Sequence, residues 1–537
     1  MNNLPTIRGV NMLYLVTLVL VVIFGSFLQA WSPVLGLILT EFLLILAPAL
    51  IFLRVMHLSP KGTLRLYNPG WKLGVWSVVI GLGFALLALW LGNLVTILFG
   101  YEFALPPGFY PTNWLQGVFV YLGFCVAAPV CEETFFRGII QRGYERRGPL
   151  AGILAGGILF GLYHLSFERF VGLIPVVFVL GYAAWRGRSL FSSILVHFAY
   201  NSLSTILIII GSLRPDLTLD FFGSFPGALL GIVLGLVGLW MFRREAPGIE
   251  PEISGLVEPP PEIASPEKRF SLSIGSLVSI FWPLLVAFFI FLTLAGLEFI
   301  TGRFPEALAA SSVNFSPPPW TGSSQWTYEL QNILDEPVGE ANCKVTPGTT
   351  DFQLACSLHQ EAFKAQKGKS LFQTDAYNEQ ISAIWQKDNL DLTKADAAQA
   401  GSSFGYAYTL RQVENGLILS VKARSSSAET LSLPANALLE GEWPWRLSAL
   451  DFNLGMSWKA TLAWPNRWSA QDQRNVPTAQ DIVLTVQGAE PIATPAGNFI
   501  AWKVKVGNQT AWYDADFPHT LLRYDNGLVS YLLKESK

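Results

Sequence analysis

Glu132 and Glu133 follow a long apolar run, and Arg137 stands four residues past the second glutamate, in CEETFFRGIIQRGYERR (131–147). Helical neighbours point about 100° apart, whereas residues four apart share a face. Glu133 is therefore expected to pair with Arg137, while Glu132 projects with Ala128, Phe135 and Phe136 into another sector and stays available for chemistry. Two of the five histidines also lie in apolar runs. His164 sits in GILFGLYHLSF with Phe160 four residues before it, and His197 sits in LFSSILVHFAYNSL with Asn201 four residues after it. An unpaired polar group in such surroundings costs roughly 1–3 kcal/mol. The simplest common solution is that the helices converge and their polar groups meet.

Two chemistries fit these residue types. A carboxylate beside an imidazole polarises a water for attack on a peptide carbonyl, and a second imidazole with a carboxamide donates to the developing oxyanion. Alternatively Glu132, His164 and His197 hold a divalent metal such as zinc that activates the water. No HExxH helix is present, so the zinc version lacks its usual motif.

The elements that must position these groups are membrane spans. The chain has 537 residues, 51% hydrophobic and 14% charged, against about 25% charged in an ordinary soluble domain. Mean hydropathy is +0.39, and the apolar excess lies almost wholly before residue 300. Runs of about 20 residues, the length that crosses a bilayer, fall near 11–30, 34–54, 73–100, 113–131, 149–166, 170–186, 189–212, 225–242 and 273–300. The first is expected to be a signal-anchor helix. Basic residues cluster at 54–72, 142–147, 186–188, 243–244 and 268–269, while loops 101–112 and 213–224 are poor in them. Counting spans puts every cluster on one side, the cytoplasm by the positive-inside rule. That places the glutamates near the cytoplasmic end of the fourth span and residues 301–537 outside.

The organisation expected is a multi-pass α-helical membrane bundle of about eight spans plus one anchoring span, then a mostly-β soluble domain. Residues 1–244 form the membrane domain, with its motif core at 113–212. Residues 245–272, rich in Pro and Glu, form a semi-rigid cytoplasmic linker, 273–300 an anchoring helix, and 301–537 the extracytoplasmic domain. Hairpin turns are expected at Glu414-Asn415-Gly416, Gly507-Asn508 and Asp525-Asn526-Gly527, and a polar helical stretch within 358–400. Cys343 and Cys356 are the only cysteines of that domain, and a disulfide between them is expected in an oxidising compartment. His359 and His519 are too few for a metal site there. A net charge of −3 gives no broad basic surface, so nucleic acid is not expected as a partner. The lipid bilayer and a protein or peptide substrate are.

The stretches Glu132-Glu133-Thr134-Phe135-Phe136-Arg137, Phe160-Gly161-Leu162-Tyr163-His164 and His197-Phe198-Ala199-Tyr200-Asn201 resemble the EExxxR, FxxxH and HxxxN motifs of the CAAX protease and bacteriocin-processing family of intramembrane endopeptidases. The resemblance covers about 113–212 and does not reach 273–537. It implies a glutamate-type protease of the cell membrane that cuts membrane-associated, C-terminally anchored or lipidated proteins. In it Glu132 activates water with help from His164, His197 and Asn201 form the oxyanion site, and Glu133 with Arg137 holds the helix. It implies no cofactor, with zinc as the alternative. Two other readings stay open: a non-catalytic scaffold or immunity-type protein, and a protein-sorting peptidase that trims C-terminal anchors. The intact motif residues favour an enzyme.

Overall fold

A bilayer offers backbone polar groups no partner, so apolar runs of spanning length fold as helices. The computed structural model describes residues 4–100, 105–247, 274–305 and 309–537, less 311–312, 314, 316–319, 368–369, 402–404, 424–427 and 470–473. Within them the long apolar helices are α1 (Ile7–Trp31), α2 (Pro33–Val55), α3 (Trp71–Phe99), α4 (Trp114–Arg147), α5 (Pro149–Tyr163), α6 (Phe167–Arg186), α7 (Leu190–Leu213), α8 (Phe225–Glu245) and α9 (Ile274–Arg303). Eight are long and apolar enough to cross a membrane, and α5, at 15 residues, is shorter. The fourth span does not end at 131 as expected. It runs on to Arg147, which puts both glutamates inside a helix rather than at its end. Apart from two short loops, the chain forms a helical unit up to Ile300 and a β unit from Thr301 to Lys537. The linker expected over 245–272 lies outside the described residues from 248 on.

Glycines let the helical unit close around its polar residues. A Cβ on Gly83 of α3 would lie 2.4 Å from the Gly235 nitrogen of α8, and one on Gly81 would lie 2.3 Å from the Val196 carbonyl of α7. Small residues at such crossings bring backbones into van der Waals contact, the main attraction between helices in lipid. The Gly81 crossing sets the depth of α7 one residue from His197. At one end of α4, Arg65 makes two parallel bonds to the Glu145 carboxylate, 3.0 and 2.9 Å, and fastens the segment between α2 and α3 to the helix.

In the β unit, fifteen strands form one sheet made of two meanders. One runs from Ser324–Asn332 outward to Glu429–Leu433, and the other runs from Leu438–Leu439 back to Val529–Ser536, which pairs antiparallel with Ser324–Asn332. The three expected hairpin turns connect adjacent strands. The helical reading of 358–400 is wrong. That stretch holds strands, and Tyr377–Gln386 buries Ile381, Ala383 and Trp385 with the period of two that a half-buried sheet imposes. Cys343 and Cys356 stand opposite each other on paired strands and are joined by a disulfide.

The connection between the meanders is packed inside. Trp443 and Trp445 are buried, Trp443 Nε1 donates to Gln509 (3.1 Å), and Tyr513 Oη donates to the Pro444 carbonyl (2.7 Å). Two carboxylates face the same interior. Glu379 accepts from Tyr406 Oη (3.2 Å) and Glu440 from Gln509 Nε2 (3.2 Å). Burial pushes both up to about 7 from an ordinary 4.5, Glu379 further through the charge of Glu440. Because the folded values exceed the unfolded ones, the stabilisation is full below the unfolded value and is lost as pH rises through about 7. The thermal midpoint of the β unit, followed by tryptophan fluorescence of the whole protein, should therefore fall between pH 5 and pH 8. Glu379→Gln with Glu440→Gln should flatten that slope, and an equal slope in the double variant would contradict the assignment.

Candidate active site

The hydrogen-bond ladder of α4 is interrupted twice, by π turns at Leu122–Ala127 and Phe136–Ile140, and both glutamates sit on the α-helical stretch between them. Such turns shift the register of the side chains that follow and recur at functional sites. In the first, the Ala128 N–H bonds to the Gly123 carbonyl. The next donor in that register would be Pro129, which has no N–H, so the Phe124 carbonyl lacks an intrahelical partner. Asn201 of α7 supplies one, its Nδ2 donating to that oxygen at 2.7 Å. A helix defect on α4 thereby fixes the depth of α7.

One turn away on α7, His197 makes the central contact. Its Nδ1 is 2.9 Å from Glu133 Oε1, and the same oxygen accepts from Arg137 Nη1 at 2.8 Å. Arg137 also donates to the Val177 carbonyl of α6 (3.1 Å). Its guanidinium lies 4.5 Å from the centre of the Phe160 ring, where the ring quadrupole attracts it. With a carboxylate at Nδ1, that nitrogen is the donor and Nε2 is the edge left for other partners. It lies 3.7 Å from Glu132 Oε2, beyond a hydrogen bond. The Glu133 side chain has no exposed surface, whereas Glu132 keeps 13%. The two neighbours thus divide as the helical geometry predicts.

Phe160 joins the second imidazole to this group. Its ring meets His164 edge-on at 4.9 Å and His197 at 5.7 Å. His164 caps α5, and its Nδ1 lies 3.1 Å from the Phe160 carbonyl. A carbonyl only accepts, so the proton is on Nδ1 and Nε2 is left as an acceptor. Glu132, Glu133, Arg137, Phe160, His164 and His197 therefore form one connected group, His164 entering through Phe160. Asn201 reaches α4 beside the group through the Phe124 carbonyl.

Three charged residues of this neighbourhood escaped sequence reading. Glu41, on the π turn Thr40–Leu46 of α2, is 3% exposed and interacts electrostatically with Glu132. Arg169, near the start of α6, also interacts with Glu132, and Glu298 of α9 interacts with Arg169. The signal was present: Glu41 and Glu298 are acids inside runs otherwise apolar, where an ionisable side chain marks function by default.

Nδ1 of each histidine is engaged, with a carboxylate or a carbonyl, which leaves Nε2 as the edge of each ring that a divalent metal would take. Among the described residues no three His, Cys, Asp or Glu side chains are grouped to hold a metal ion.

Residues 113–203, from the start of α4 to just beyond Asn201, match the family model described as type II CAAX prenyl endopeptidase Rce1-like. Comparison with curated proteins and with solved structures gave no match. The match is to a protease family and carries with it a multi-pass membrane setting.

The Asn201 contact is testable without an activity assay. Asn201→Val leaves the Phe124 carbonyl unpaired and should cost about 1–3 kcal/mol, read from the unfolding midpoint of the whole protein in detergent. Pro129→Ala returns an N–H to the ladder, so the same substitution in that background should cost less. Equal costs in both backgrounds would remove the Pro129 explanation.

Proposed function

We propose, taking residues 113–203 as an Rce1-like protease segment, that this protein is an intramembrane endopeptidase in which Glu132 is the general base. The observation that carries the reading is the division of roles around His197. A fully buried Glu133 orients its Nδ1, and its Nε2 edge is turned toward the partly exposed Glu132. An acid whose side chain has no hydrogen bond among the described residues, beside an imidazole held by a second acid, is an arrangement suited to activating water.

The proposed step uses these groups as follows. Glu132 takes a proton from water, and His164 accepts a hydrogen bond from that water through Nε2. The water oxygen attacks the scissile carbonyl carbon, and the carbonyl oxygen becomes the oxyanion. His197 donates to it through Nε2, and Asn201 donates through the second N–H of its carboxamide, the first being held by the Phe124 carbonyl. The C–N bond then breaks, the proton on Glu132 passes to the leaving nitrogen, and a carboxylic acid and an amine are released. No metal takes part. The substrate class is the polypeptide of a membrane-associated protein, cut near a lipidated or anchored C-terminus. The β unit lies on the extracytoplasmic face of the cell membrane, a placement supported by the clustering of basic residues on one side of the spans and by the Cys343–Cys356 disulfide.

Glu132→Gln keeps size and hydrogen bonding but removes the base, so processing should fall by about 10²–10⁴-fold with the protein still folded. The measurement is quantitative proteomics of membrane-protein C-termini in cells carrying the wild type or the variant. Identical C-termini in the two would end the protease reading. Wild-type processing should also survive 1,10-phenanthroline, and its loss, with recovery on adding zinc, would replace the metal-free step. A phosphatase fused after residue 310 should be active outside the cytoplasm, and cytoplasmic behaviour of the fusion would overturn the topology.

A further inference from the structure

The helix α9 lies outside the segment that matches the protease family, yet its packed face carries a charge. Its buried positions fall at Pro283, Ala287, Phe291 and Ala295, four apart, and Glu298 is the next step of that stripe. Between Val278 and Ile300 it is the one charged residue. Most of its apolar neighbours would satisfy the face equally well, and a carboxylate inside a membrane helix costs ~2.5–3.5 kcal/mol on insertion scales.

What Glu298 touches is the short link between His164 and α6. Its Oε1 accepts from Ser166 Oγ at 3.0 Å. The same hydroxyl accepts from the Arg169 N–H at 3.3 Å and so caps α6. Between His164 and Ser166 the chain passes through Leu165 at φ 54°, a left-handed conformation that a branched side chain adopts only when its surroundings impose it. α9 supplies those surroundings. Phe291 meets Phe167 and Phe170 at 5.3 and 5.9 Å, and Phe299 meets Phe167 at 6.5 Å. The Arg169 guanidinium interacts electrostatically with Glu298, Glu168 and Glu132, and it is an electrostatic neighbour of His164.

We propose that Glu298 is a positioning residue for the catalytic centre. Through Ser166 it holds the tight link that presents His164, and through Arg169 it balances the positive charge that stands beside Glu132. The helix leading into the β unit is thereby part of the catalytic assembly, although the motif residues all lie elsewhere. The inference rests on the reading of Glu132 and His164 as catalytic, and its test separates the two.

The full-length protein, labelled with ¹⁵N-histidine and held in lipid nanodiscs, reports the His164 ring directly, assigned by the signal lost in His164→Gln. Glu298→Gln should shift the His164 nitrogens away from the Nδ1–H tautomer that the Phe160 carbonyl holds, while Glu298→Asp should leave them near the wild type. In cells, the same C-terminal proteomics should show processing reduced about 10²-fold by Glu298→Gln, the scale of a misplacement of about 1 Å, and largely kept by Glu298→Asp. Unchanged His164 signals together with wild-type processing in Glu298→Gln would overturn the inference. A wild type whose C-termini match those of Glu132→Gln would instead remove the protease reading, with the histidine spectra still deciding the positioning role. If Glu298→Gln does not fold, Arg169→Gln with Glu298→Gln removes both charges. The double variant should fold with displaced His164 signals, and wild-type signals in it would refute the proposal.

Discussion

A carboxylate with no exposed surface holds the helical unit together. Glu133 Oε1 is shared between Arg137 Nη1 at 2.8 Å and His197 Nδ1 at 2.9 Å. An ionised group left alone in an apolar interior costs several kcal/mol, and removing one partner of such a pair is far more damaging than never having built it. Glu133 thus ties α4 to itself through Arg137, to α7 through His197, and, by way of the guanidinium, to the Val177 carbonyl of α6 and the Phe160 ring of α5. Four helices meet at this ion pair, and the tautomer and orientation of His197 follow from its bond to Glu133.

The matched segment supplies the motif residues but not all that places them. The depth of α7 depends on Gly81 of α3, whose missing side chain admits the Val196 carbonyl. The charge beside Glu132 involves Glu41 of α2. Intramembrane sites need this outside help more than soluble ones do, because the surrounding lipid offers no partner to a polar group that a neighbouring helix leaves unpaired.

How far the sequence reveals this depends on the distance over which each cause acts. The separation of Glu132 from Glu133 was legible, since it follows from 100° per residue. So was the alignment of His197 with Asn201, since four residues return to one face. The bond from Glu133 to His197 spans 64 residues and has no local signature. The Pro129–Phe124–Asn201 relation needs a π turn, which side-chain pattern does not encode. The spans were legible because lipid permits few structures, although the end of α4 was misplaced because polar residues after 131 are tolerated where helices bury them. In 377–400, runs of Ala, Gln and Lys favour a helix by propensity, but Ile381, Ala383, Trp385, Ala395 and Ala397 alternate inward, and pairing in a large sheet overrode the preference.

A second buried pair shows what would distinguish a candidate site from a structural ion pair. In the β unit, Glu442 and Arg446 are also an acid and an arginine four apart, with side chains 0% and 1% exposed, 3.6 Å from each other. Like Glu133, Glu442 reaches a third element, accepting from Trp385 Nε1 at 2.8 Å, and it also accepts from the Leu439 N–H at 3.0 Å. By burial and sequence spacing alone the two are equivalent, and ion pairs of purely structural role also perturb their surroundings. The difference lies in what the third partner can still do. An indole N–H has one proton to give, and in Trp385 it is spent on Glu442. An imidazole held at Nδ1 keeps Nε2, and in His197 that edge faces Glu132, an acid with exposed surface and no salt-bridge partner as short as those of Glu133. Chemistry requires a group that is oriented yet incompletely satisfied, and of the two pairs only the one in the membrane unit leaves such an edge.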